Sequence, residues 1–211
     1  MGDKIALIFG SMPDLNWRFL EPYRNNEKVT VVCADGGILR AREAGFQPGF
    51  YIGDNDSGGY FPNNVPSIRL NPEKDWSDLH AAYNWARGCG FTQVVFTGCS
   101  GGRQDHNLNN LFLLELAHSQ GISAKLLDSV NEISLLSEGT TIFSCDGFRY
   151  FSLLPLDRSV AGVTIANAKY PLNHVTIQRT QGLTISNEPL DGDVTVIIDS
   201  GAVLLMKTQR I

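Results

Sequence analysis

At 211 residues the chain is longer than one ordinary domain and shorter than two large ones. Its 43% hydrophobic and 18% charged content supports a packed core and argues against disorder. A net charge of -5, with no run of Lys or Arg, argues against a surface for the phosphate backbone of nucleic acids.

Short apolar runs alternate with helical patterns in the first half. Ile5–Phe9, Val29–Ala34, Phe50–Ile52, Ser67–Leu70, Val94–Thr97 and Ala124–Leu127 read as strands. A short helix is expected over Ile38–Ala44. Ser77–Cys89 sets Leu79, Ala82, Tyr83 and Ala86 on one helical face. His106–Gln120 is apolar nearly all round, which predicts a helix buried on several sides. The alternation predicts a doubly wound, mostly parallel α/β sheet.

From about residue 139 the helical period disappears. Thr140–Phe143, Arg149–Leu154, Val163–Ala166, Val175–Arg179, Leu183–Asn187, Asp193–Asp199 and Ala202–Lys207 are short and separated by Gly, Pro, Asn or Asp. Pairs such as Val175/Ile177, Leu183/Ile185 and Val194/Val196 alternate with period two. This predicts a small antiparallel β-sandwich. The expected domains are 1–137 and 138–211, with Asn131–Leu136 able to join either half.

Cys33, Cys89, Cys99 and Cys145 form no C-x-x-C pair, which fits neither a zinc site nor a disulfide framework and suits a reducing cytoplasm. The opening apolar run is too short for a signal peptide, and no stretch approaches about 20 apolar residues, so no membrane partner is expected.

Open parallel sheets bind ligands at the carboxyl ends of their strands. Asp35-Gly36-Gly37 follows the second strand, and Gly53-Asp54-Asn55-Asp56-Ser57 follows the third. Lys74-Asp75-Trp76-Ser77-Asp78 closes the loop after the fourth, and Gly98–His106 follows the fifth. Each has a plain structural reading: a turn, a helix-capping pair at Asp75 and Asp78, a packed or capping His106. Together they would bring six aspartates to one sheet edge. Such a cluster repels itself unless cations occupy it, and hard oxygen donors suit Mg²⁺. Gly98–Gly102, leading into a helix, offers backbone N–H groups to an anion, and Arg103 suits bidentate contact with phosphate oxygens. Carboxylates, metal and anion cradle together describe a nucleoside-triphosphate site.

At these segments the sequence resembles the thiamin pyrophosphokinase family, through Ala34–Gly37, Gly53–Ser57, Lys74–Asp78 and Gly101–His106 with Leu108 and Asn110. Gly162-Val163-Thr164, Lys169-Tyr170-Pro171-Leu172 and Ile185-Ser186-Asn187 resemble its substrate-binding sandwich. Ser77 stands where the family often has Thr, Gly49 where an acidic residue is common, and Asn167-Ala168 where Gly-Leu is more usual. The resemblance implies transfer of a diphosphate from ATP to the hydroxyethyl group of thiamin, with Mg²⁺ required. It implies that Asp35, Asp54, Asp56, Asp78 and Asp105 surround metal and phosphates. Arg103, Gly101, Gly102 and His106 would contact the nucleotide. Ser186 would bond the aminopyrimidine, Asn187 would shape that turn, and Tyr170 would line the pocket. A homodimer with the site at the subunit interface is also implied. A pyrophosphokinase for another ring alcohol, such as a hydroxymethyl pterin, and a non-catalytic thiamin or nucleotide sensor are the alternatives. A dinucleotide-binding oxidoreductase lacks its glycine fingerprint here.

Overall fold

The computed structural model describes residues 4–54, 64–71, 73 and 75–209. The chain forms two compact units, Met1–Ser129 and Val130–Ile211. Asn131–Leu136, open in the sequence, therefore lies in the second.

In the first unit, β1 (Ile5–Phe9), β2 (Val29–Ala34), β3 (Phe50–Gly53), β4 (Ser67–Arg69), β5 (Gln93–Thr97) and β6 (Ser123–Leu127) lie in the order β4-β3-β2-β1-β5-β6. Every pairing is parallel. The unbroken apolar runs follow from that geometry, because crossover helices cover both faces of a parallel sheet. Ala6, Leu7, Ile8 and Phe9 are all fully buried. The helices are α1 (Gly37–Glu43), α2 (Asp78–Gly88) and α3 (Gln104–Ser119). Stacking of Trp85 on Phe50, with centroids 3.9 Å apart, seats α2 against β3. A 3-10 segment at Arg18–Tyr23, carrying Pro22, has no counterpart in the sequence reading.

Two expectations need correction here. The cap of α2 is Ser77, whose Oγ accepts from the His80 N–H at 3.2 Å, rather than Asp75. A hydroxyl on extended backbone reaches the N3 donor well, and Asp78 becomes the first helical residue. Nor is α3 buried on several sides. Leu113, Leu114 and Ala117 face the core, while Leu108 and Phe112 stay more than half exposed.

The second unit is antiparallel throughout. β13 (Val203–Thr208) lies between β7 (Asn131–Leu136) and β9 (Tyr150–Pro155). β8 (Gly139–Phe143), β10 (Ser159–Ala166), β11 (Leu172–Gln178) and β12 (Val194–Ile198) form a second sheet in the order β11-β10-β12-β8. Alternation turns Phe151 and Leu153, and Val194, Val196 and Ile198, into one apolar core shared by both sheets. Each such side chain contributes about 1.5–3 kcal/mol on burial.

Leu183–Asn187 is not a strand but a turn, with Leu183 and Ile185 exposed. The buried Thr184 hydroxyl donates to the Leu153 carbonyl at 2.5 Å, and Ser186 adopts φ 57. That anchor and a left-handed residue leave no room for a regular ladder. Asn167 is also left-handed at φ 59, and its amide donates to the Asp191 and Asp193 carbonyls. Asn tolerates that conformation better than most side chains, so the departure from Gly keeps the turn.

Candidate active site

The order β4-β3-β2-β1-β5-β6 reverses at β1, which β2 and β5 flank. A crevice therefore opens beyond the carboxyl ends of β1 and β5, where the loops diverge to opposite sides. A cleft of about 540 Å³ lies there, and Gly10–Met12, Asp35, Asp54, Trp76–Leu79, Gly98, Cys99 and Arg103 are among its lining residues. The loop after β1 forms its floor. The Gly10 N–H donates to the Thr97 carbonyl and the Met12 N–H to the Gly98 carbonyl, both at 2.8 Å. A Cβ at position 10 would come within 2.5 Å of the Gly98 oxygen, so only glycine allows this approach.

Three of the expected carboxylates reach this cleft. Asp35, left-handed at φ 44, donates its N–H to the Ile52 carbonyl at 2.8 Å. Asp54 directly follows β3 and is only 8% exposed. Asp78 opens α2 behind its Ser77 cap. All three act on the hydroxyl of Tyr51, which donates to Asp35 Oδ1 at 3.2 Å. Burial first, then the charges of Asp35, Asp78 and Asp54, push the phenol pKa well above its ordinary value. The convergence expected for these three aspartates is therefore present; of Asp75, Asp56, Lys74, Asn55 and Ser57, only Asp75 is among the described residues. Asp75 is exposed and does not line the cleft. The other four lie outside the described residues.

Among the described residues, no three His, Cys, Asp or Glu side chains stand close enough to enclose an ion by themselves. Asp35, Asp54 and Asp78 nevertheless line one cleft with hard oxygen donors, a chemistry that suits Mg²⁺ when water and substrate phosphates complete its shell.

The glycine-rich loop is tied to α3 by two side chains. The buried Asn110 amide donates to the Cys99 carbonyl at 2.9 Å, and the Gly101 N–H donates to Asn107 Oδ1 at 3.3 Å. The Gly101 N–H is thus engaged, against the expectation of a wholly free cradle. Arg103, Gly101 and His106 line the cleft, whereas Gly102 and Asp105 stand outside its lining. Arg103 and Asp105 form an exposed two-point pair, with Nη2 to Oδ2 at 2.6 Å and Nε to Oδ1 at 3.2 Å. The Arg103 bonds, followed by the His106 N–H, hold the Asp105 carboxyl below the usual carboxylate range.

In the second unit, Asn187 draws the other expected residues together. It is 3% exposed, its Oδ1 accepts from the Tyr170 and Glu188 N–H groups, and its Nδ2 donates to the Tyr170 carbonyl. Ser186 is exposed beside it and donates its N–H to Ser152 Oγ at 3.0 Å. Tyr170 lies in a loop and is 56% exposed rather than part of the core. Lys169 stands over its ring and pairs with Glu188 at 2.7 Å.

Sequence reasoning missed three parts of this site. Gly10-Ser11-Met12 carries no carboxylate, though a glycine directly after an apolar strand was a readable sign. Tyr51 reads as one more strand residue. Trp76 lines the cleft 55% exposed and stacks on His80, with centroids 5.6 Å apart; within its motif it looked like a spacer.

A doubly wound unit with carboxylates, a glycine loop and an arginine at its switch point defines an enzyme that transfers phosphate groups from a nucleotide. The family model "Thiamin pyrophosphokinase, catalytic domain" matches residues 22–126, and "Thiamin pyrophosphokinase, vitamin B1 binding domain" matches 139–203. The thiamine pyrophosphokinase of Bacillus subtilis is 28% identical over 190 residues, covering 87% of this chain and 89% of that protein. The crystal structure of the Bacillus subtilis thiamine pyrophosphokinase superposes with a TM-score of 0.89 at 26% identity, covering 99% of this chain and 100% of that one. That of thiamin pyrophosphokinase from Geobacillus thermodenitrificans gives 0.84 at 27% identity, with 98% of each chain covered. The yeast thiamin pyrophosphokinase shares the fold at 15% identity, with a TM-score of 0.75 over 98% of this chain and 86% of that one. The chain belongs to the thiamin pyrophosphokinase family.

Proposed function

We propose that the cleft of the first unit binds ATP with Mg²⁺ and that the enzyme passes the terminal diphosphate to the hydroxyethyl oxygen of thiamin. A bond forms between that oxygen and the β-phosphorus. The bond from the β-phosphorus to the bridging oxygen breaks, and AMP leaves with that oxygen while the hydroxyl proton is released. The observation that carries this reading is the convergence of Asp35, Asp54 and Asp78 on one cleft, with Arg103 on its rim.

Asp35, Asp54 and Asp78 would hold the metal, with Asp56 and Asp105 completing the set that the family resemblance implies. Bound there, Mg²⁺ would supply neutralisation of the phosphate charge. Arg103 would exchange its bond to Asp105 for phosphate oxygens, and Gly101, Gly102 and His106 would border the phosphates. An aspartate with an ordinary pKa near about 4 is a poor base for an alcohol. A loose transition state needs little deprotonation in advance, so positioning and charge neutralisation supply most of the acceleration. Ser186 would bond the aminopyrimidine of thiamin, with Asn187 setting the turn and Tyr170 lining the pocket. The enzyme works in the cytoplasm as a homodimer whose sites draw on both protomers. No described helix is long and apolar enough to cross a membrane.

The test is release of AMP from ATP with and without thiamin. Release that depends on thiamin supports the reading; thiamin-independent release, or none, refutes it.

A further inference from the structure

We propose that Tyr51 is a positioning residue for this reaction, its buried hydroxyl fixing the Asp35 carboxylate in the cleft. The inference rests on the reading of Asp35 as a group that meets the magnesium–nucleotide complex.

Tyr51 is 1% exposed and belongs to the same apolar cluster of the first unit as Cys33, Val31 and Phe46. Packing alone asks only for the ring there. The hydroxyl is a polar group carried into that core, and such a group is costly unless it is bonded. The hydroxyl donates to Asp35 Oδ1 at 3.2 Å.

β3 holds Asp35 at two points. The Ile52 carbonyl accepts its N–H at 2.8 Å, and the hydroxyl of the preceding residue, Tyr51, donates to a carboxylate oxygen. The main-chain bond holds a left-handed backbone, φ 44, that a non-glycine residue seldom adopts. That conformation sets where the side chain starts, and the Tyr51 bond sets how the carboxylate is turned. With one oxygen engaged, a cation meets a fixed partner rather than a rotating one.

Gly53 makes the arrangement possible. A Cβ there would lie 2.6 Å from the Tyr51 hydroxyl and 3.0 Å from Asp35 Cα, so any side chain would push both away. The glycine of the Gly53-Asp54 pair thus serves a neighbour as well as its own turn.

The test uses Tyr51→Phe, which keeps the ring and removes the hydroxyl, alone and combined with Asp35→Asn. Mg²⁺ with α,β-methylene-ATP, which cannot undergo the transfer, is titrated calorimetrically into each full-length protein, and kcat and KM are measured alongside. Loss of a partner behind a metal-binding group typically weakens affinity or activity about 10- to 100-fold. Tyr51→Phe should weaken binding of the analogue about tenfold, while adding less than about twofold in the Asp35→Asn background. A merely structural hydroxyl would lower the thermal midpoint equally in both backgrounds and leave binding unchanged. Wild-type affinity in Tyr51→Phe, or the same loss with and without Asp35, overturns the proposal. If Asp35→Asn itself binds the analogue normally, the role of Asp35 fails first. If Asp35→Asn is impaired and Tyr51→Phe is silent, only the role of Tyr51 fails.

Discussion

Replacing Asn187 by Ala should both loosen the second unit and weaken use of thiamin. The main-chain bridge to Phe151, with bonds of 2.9 and 2.8 Å, survives the substitution. The side chain loses its bonds from the Tyr170 N–H at 3.0 Å and the Glu188 N–H at 2.9 Å, and its bond to the Tyr170 carbonyl at 2.8 Å. Three bonds at about 0.5–1.5 kcal/mol each set a ceiling of about 4.5 kcal/mol. Tyr170 is 56% exposed, so its freed groups regain water in part. The expected loss is about 1.5–3 kcal/mol. At about 2–4 °C per kcal/mol for a chain of this size, the midpoint should fall by about 3–12 °C. Urea titration followed by circular dichroism gives the free energy. Asn187→Asp keeps the acceptor but sets a buried carboxylate oxygen against the Tyr170 carbonyl, so it should cost at least as much as Asn187→Ala. The KM for thiamin should rise in Asn187→Ala, with that for ATP nearly unchanged, because Ser186 is the next residue. A stability loss below about 0.5 kcal/mol with an unchanged thiamin KM would refute the reasoning.

Asp54→Asn should lower kcat/KM at least about 100-fold, or about 2.7 kcal/mol of transition-state stabilisation, with the fold intact by circular dichroism. Near-normal turnover at saturating Mg²⁺ would remove Asp54 from the metal site. Mixing Asp54→Asn with Ser186→Ala under subunit exchange should restore activity toward about one quarter of wild type, since half the dimers are mixed and half their sites intact. Proven exchange without recovery would reject sites shared between protomers. His80 titrates below its ordinary 6.5 because burial disfavours the imidazolium. The unfolded chain then binds the extra proton first, so stability is full above 6.5 and declines as pH falls toward the folded value. Urea midpoints should fall less steeply across that window in His80→Gln; identical slopes would contradict the assignment.

The parallel strands of the first unit were legible because burial on both faces leaves unbroken apolar runs such as Ile5–Phe9. The aspartates were legible because strand ends and ligand positions coincide in such sheets. What escaped depends on contacts between distant segments. The fit of Gly10 against Gly98 appears only when β1 and β5 are neighbours. Tyr51 gains its meaning only when β3 lies beside the loop after β2. Leu183 and Ile185 keep a strand's alternation, yet the Thr184 bond to Leu153 turns the chain instead. The exposure of Leu108 and Phe112 on α3 was hidden by composition, since an apolar residue does not declare which side of its helix meets the core.

The most direct test of the account follows the phosphates of ATP. With γ-labelled ATP, thiamin and Mg²⁺, each labelled product molecule should be thiamin diphosphate carrying the label on its terminal phosphorus, with one AMP formed alongside it. Formation of ADP in step with thiamin consumption would mean transfer of single phosphates and would contradict the account.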